Sequence, residues 1–116
     1  MAGLVEPFPG RIPGDEITPQ EIVNATRLAI IAEQEAIALY DKISKMVSDP
    51  KIQKLMISLA DEEQVHVGEL TKLIEKLDPT DASLIQEGKD EAEDELEVLS
   101  TRKVVASFLQ QSNKLG

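Results

Sequence analysis

The chain has 116 residues, room for one domain at most, and a formal net charge of −10. That charge argues against nucleic acid and anionic membrane surfaces as partners and suits cation capture. The absence of cysteine removes disulfides, iron–sulfur ligation and zinc-ribbon chemistry, and there is neither an apolar run of about 18 residues to span a membrane nor the cationic-then-apolar start of a signal peptide.

Residues 1–17 contain Pro7, Pro9, Gly10, Pro13 and Gly14, a density that breaks helices and strands. They read as an extended N-terminal arm, with Leu4, Val5, Phe8 and Ile12 available to lie against a neighbour. Thr18-Pro19-Gln20-Glu21 opens a helix. Thr18 caps it, Pro19 takes the first helical position, and Glu21 closes a capping box. The helix should run to about Ser48. Its stripe is Ile22, Thr26, Ala29, Glu33, Ala36, Tyr40, Ile43 and Val47, in steps of four and three.

Asp49-Pro50 repeats the capping device and opens a second helix ending near Leu77. One or two residues between the helices force them antiparallel. The second stripe is Ile52, Met56, Leu59, Glu63, His66, Leu70, Leu73 and Leu77. Asp78-Pro79 starts a short helix through Ser83, Leu84 and Ile85, which Gly88 is expected to interrupt. Asp90 to Glu97 is acidic and reads as a solvated helix face. Ser100-Thr101 begins a last helix, whose Val104, Val105, Phe108 and Leu109 should share one apolar face for the hairpin or for a partner. The expected fold is all-α: an arm (1–17), an antiparallel two-helix hairpin (18–78) and a C-terminal helical segment (79–116).

Each stripe is interrupted by costly groups. Glu63 and His66, one turn apart, share a helix face, and Glu33 interrupts the first stripe. Each glutamate lies about fourteen residues from the turn, so an antiparallel hairpin brings them level. A carboxylate in an apolar row costs several kcal/mol unless paired or bound to metal. The plain alternatives are a neutral hydrogen-bonded Glu–His pair and a helix rotated so that Glu63 and His66 border solvent; Glu33 at the same height weighs against both. Carboxylate and imidazole without thiolate suit iron, manganese or zinc.

Glu33-Gln34-Glu35-Ala36-Ile37-Ala38-Leu39-Tyr40, followed by Glu63-Gln64-Val65-His66, resembles the ferritin-like di-iron superfamily, whose ligand set combines bridging glutamates with Glu-x-x-His pairs. The match is nearest to the encapsulated ferritins, the short two-helix ferritins associated with encapsulin nanocompartments. The resemblance spans Thr18 to about Asp78. It implies that Glu33, Glu63 and His66 are metal ligands and that Tyr40 is the family tyrosine near the iron. It also places Glu35 at a metal-entry site whose second acid is here Ala32. Leu39 stands where some relatives carry tryptophan.

A di-iron site of this kind needs two histidines, and the chain has one. The simplest remedy is a two-fold dimer that completes a ferritin-like four-helix bundle around two irons. The resemblance further implies a decameric ring within an encapsulin shell in the cytoplasm. Zinc, manganese or calcium are alternative occupants of such a site. Residues 111–116 do not resemble the usual encapsulin-loading tail, which leaves a segment of a longer fusion, another loading surface, or no shell.

The expected function is ferroxidase activity at an intersubunit di-iron site, feeding iron storage and mineralisation. A rubrerythrin-like peroxide reductase uses the same ligands with an external electron donor. A structural helical module for assembling other proteins would use none of them.

Overall fold

The computed structural model describes residues 6–115, with side chains over 6–111. Leu4 and Val5 of the expected arm contact, and the side chains of 112–116, lie outside the described part. The described residues form three helices and no strand: α1 (Pro19–Met46), α2 (Pro50–Leu77) and α3 (Pro79–Leu115). The chain divides into two units, one ending at Pro79 and one beginning at Thr80.

The start of α1 follows its capping box. The Thr18 hydroxyl accepts from the Glu21 N–H at 3.1 Å, and the Thr18 N–H donates back to Glu21 Oε1 at 3.1 Å. Arg11 Nη2 donates to both oxygens of the same carboxylate, at 2.9 and 2.8 Å. The arm before it makes two tight turns, Arg11 N–H to Phe8 C=O and Asp15 N–H to Ile12 C=O, each at 3.0 Å. Gly10 and Gly14 take positive φ in these turns, 77° and 103°, where a Cβ would be strained. At the tip of the hairpin, Asp49 accepts from the Lys51 N–H at 2.9 Å, and Gln53 Nε2 donates to the Val47 carbonyl at 2.7 Å.

α1 and α2 pack along an antiparallel seam. On α1 it runs through Val23, Thr26, Ile30, Glu33, Ile37, Tyr40, Ser44 and Val47, all buried or half-buried. On α2 it runs through Gln53, Met56, Ala60, Glu63, Val67, Leu70 and Ile74. These are the a and d positions of a seven-residue repeat. Thr26 and Ser44 are buried at 6% and 9% exposure. Their hydroxyls donate to the carbonyls of Ile22 and Asp41, at 2.7 and 2.6 Å, so neither is left unpaired.

This seam corrects the stripes expected from the sequence. Half of each stripe lies on its rows: Thr26, Glu33, Tyr40 and Val47 on α1, and Met56, Glu63 and Leu70 on α2, whose row ends at Leu77, 37% exposed. The other half occupies the g positions beside it: Ile22, Ala29, Ala36 and Ile43, and Ile52, Leu59, His66 and Leu73. Ile52 and Leu73 are 41% and 40% exposed. A two-helix pair covers only the seam between its helices, so an apolar face wide enough for a bundle stays partly open. The other flank is more polar, a shallow groove with Gln34, Asp41, Asp61 and Gln64 over Ile37, Ala38, Ile57 and Ala60.

The C-terminal segment differs from expectation. α3 is one helix through Gly88 and through Ser100-Thr101, so it has neither the expected break nor a separate last helix. A glycine costs roughly 1 kcal/mol relative to alanine within a helix, too little to end one flanked by Gln86, Glu87, Lys89 and Glu91. Gln86 Nε2 donates to Asp90 Oδ1 at 2.9 Å across it. The acidic stretch is helical and solvated, and side chains 83–111 are exposed. No described helix is long and apolar enough to cross a membrane.

Candidate metal centre

Three side chains from two helices converge on one point. Glu33 and Glu63 occupy d positions, and antiparallel packing sets them level at mid-hairpin. His66 follows Glu63 by one turn on the adjoining g position. His66 Nδ1 lies 3.3 Å from Glu63 Oε2 and 3.6 Å from Glu33 Oε2. One ligand atom from each of the three falls within 4.8 Å of the others, and no further acid or histidine among the described residues joins them.

The cluster is less buried than the stripes implied. The side chains of Glu33 and Glu63 are 25% and 21% exposed, and that of His66 is 51% exposed. The reason is the open flank. Glu33 and Glu63 have the opposing helix as one wall, whereas His66 stands at the edge of the seam. With Nδ1 protonated, the imidazole donates to Glu63. With Nδ1 deprotonated, its lone pair and two carboxylates present nitrogen and oxygen donors to the same space, and a cation can replace the proton. The donor set therefore fits a borderline divalent metal such as iron, manganese or zinc.

The remaining candidates sit elsewhere. Tyr40 is half-buried on the seam, two turns from Glu33 along α1, roughly 10 Å by helical rise, and level with Met56. Glu35 is exposed on the solvent side of α1, as is Ala32 beside it. Within one chain neither Tyr40 nor Glu35 joins the cluster. The geometry thus brings three candidate ligand side chains, Glu33, Glu63 and His66, around one point.

A Rubrerythrin family profile matches residues 24–113. A ferritin-like–encapsulin shell fusion protein of Pyrococcus furiosus is 36% identical over 77 residues, which is 66% of this chain. The chain spans only 22% of the length of that relative. The crystal structure of an encapsulated ferritin domain from Pyrococcus furiosus superposes with a TM-score of 0.69 at 35% identity, covering 79% of this chain and 94% of that domain. With its helical hairpin and its Glu33–Glu63–His66 cluster, the chain belongs to the Rubrerythrin family of ferritin-like proteins, and within it to the encapsulated ferritins.

Proposed function

We propose that the protein is a ferroxidase whose substrate, Fe(II), binds between two copies of the chain. The observation that carries this reading is the position of the cluster. Glu33, Glu63 and His66 open onto the apolar flank of the hairpin, where a second hairpin related by two-fold symmetry supplies the same three ligands. The pair forms a four-helix bundle with two glutamates from each chain and two histidines in all. Glu33, from the helix without a histidine, would be shared between the two irons, and Glu63 and His66 would each hold one.

In this site the carboxylates neutralise the cations and the histidines fix their positions. Each of two Fe(II) ions would give up one electron, and the two electrons with two protons would reduce dioxygen to hydrogen peroxide, or hydrogen peroxide to two waters, while the apolar flanks limit access of bulk water. Tyr40 lies on the same seam two turns away, in reach of the site through its surroundings rather than as a ligand. Glu35, on the outer surface of α1 two residues after Glu33, would attract cations to the outside of the helix. Dimers joined in a ten-membered ring, enclosed by an encapsulin shell in the cytoplasm, would pass Fe(III) on for mineralisation. The encapsulin-fused relative supports the shell. The family match also favours a second reading, a rubrerythrin-like peroxide reductase, in which a separate donor protein re-reduces the iron.

The test is rapid-mixing oxidation of Fe(II) by the assembled protein, with His66→Ala beside it. The variant is expected to lose at least ~10-fold in rate, the lower end of what even outer-shell partners of a metal cost, with its helix content unchanged. Oxidation at the wild-type rate would remove His66 from the site. Sustained peroxide consumption with a reductant present would favour the second reading.

A further inference from the structure

α3 is the most exposed element of the chain, and its sequence carries an order that the metal site does not use. Ile85, Ala92, Leu99 and Ala106 recur every seven residues. Leu84, Gly88 and Leu96 fall beside them, within about a third of the helix circumference at ~100° per residue. Val104, Val105, Phe108 and Leu109 fall within about 140° of one another and form a separate face, turned away from this row. Leu84, Ile85, Leu96 and Leu99 are 61%, 52%, 63% and 57% exposed. A helix draws most of its stability from packing an apolar stripe, and this stripe is uncovered.

Charge on the stripe selects what covers it. Glu95 sits among its apolar residues, and Arg102 and Lys103 follow two turns later. Glu95, Leu99 and Arg102 line one shallow concavity, flanked by Asp94 and Val98. Within one helix Glu95 and Arg102 are roughly 10 Å apart along the axis, too far to pair directly.

We propose that α3 pairs antiparallel with α3 of a second copy of this chain, about a two-fold axis at Leu99. Each position before Leu99 then meets the position equally far after it on the partner helix. Leu99 meets Leu99, Ala92 meets Ala106, and Glu95 meets Lys103 with Arg102 beside it. The symmetry doubles every contact, so two sets of opposite charges flank a central leucine pair. Gly88, Ala92 and Ala106 are small enough for the axes to approach closely. A parallel pair would set Glu95 against Glu95 and Arg102 against Arg102, so the pattern disfavours it. This surface is independent of the metal reading and persists if that reading fails.

The full-length chain has no cysteine, so introduced thiols report positions cleanly. Leu99→Cys, Ala92→Cys and Ala106→Cys are oxidised mildly, singly and mixed, and the disulfides are read by mass. Leu99→Cys should cross-link to itself. Ala92→Cys should cross-link at least ~10-fold more with Ala106→Cys than with itself. Two copies of Ala92 would lie roughly 20 Å apart across the axis, and a disulfide needs Cα atoms within about 7 Å. Glu95→Lys should lower the Leu99→Cys yield, and adding Arg102→Glu and Lys103→Glu in the same chain should restore it. Self-cross-linking at Ala92 and Ala106 would mean a parallel pair and overturn the proposal. No disulfide at any position, or a yield indifferent to charge reversal, would overturn it as well.

Discussion

Glu33 and Glu63 direct two carboxylate oxygens at one imidazole nitrogen, 3.6 and 3.3 Å away. Without a cation, the two acids repel each other across a seam that is otherwise mostly apolar. Glu33→Ala should therefore raise the melting temperature of the metal-free protein. The same change should abolish the rise that Fe(II) gives the wild type, which is about 2.7 kcal/mol at a free concentration 100 times Kd. Thermal melts with and without anaerobic Fe(II) check both effects. A variant that still gains stability from metal would count against a bridging role for Glu33.

At the scale of the element, the start of α1 is a charged device. The Thr18 N–H, then the Arg11 guanidinium, hold the Glu21 carboxyl below its ordinary value of 4.5. A carboxylate whose folded pKa is depressed contributes stability above its unfolded pKa and loses it as pH falls through the folded one. Glu21→Ala should therefore be less stable than wild type at neutral pH, and the gap should narrow as pH drops below about 4.5. Paired melts at pH 7 and pH 3 measure this; a gap constant with pH would place the effect in packing. Gly68, mid-α2, offers the opposite test. A Cβ there meets nothing within 4 Å, so Gly68→Ala should stabilise the protein by about 0.5–1 kcal/mol. Chemical denaturation reads that gain directly. An unchanged midpoint would mean that the residue meets a neighbour in the assembly.

For the whole molecule, the described core of the hairpin is thin, with Val23 and Ile74 as its buried large hydrophobics, at 1% and 6% exposure. A chain of this size often leans on a partner or metal. The g flank, where Leu59 stands beside His66, is where such a partner is expected. Leu59→Asp should leave the seam intact and block pairing across the flank. Native mass spectrometry should then show smaller species that do not grow when Fe(II) is added, whereas the wild type should shift to larger, even-numbered assemblies. If wild type and variant have the same mass with and without metal, pairing across this flank is wrong.

The two hairpin helices and all three helix starts were legible in the sequence, because Thr18-Pro19, Asp49-Pro50 and Asp78-Pro79 are local signals that act through their own backbone. The meeting of Glu33, Glu63 and His66 was legible too, since a tight turn and a constant rise per residue set the register. The rotation of each helix was not. Steps of four and three describe a face wider than one seam, and spacing alone does not say which edge of it a partner helix covers. Packing placed the a and d positions in the seam and left His66 at its rim. The continuity of α3 through Gly88 was likewise decided by a balance of small terms, one glycine against many good helix formers, which a single breaker residue does not reveal.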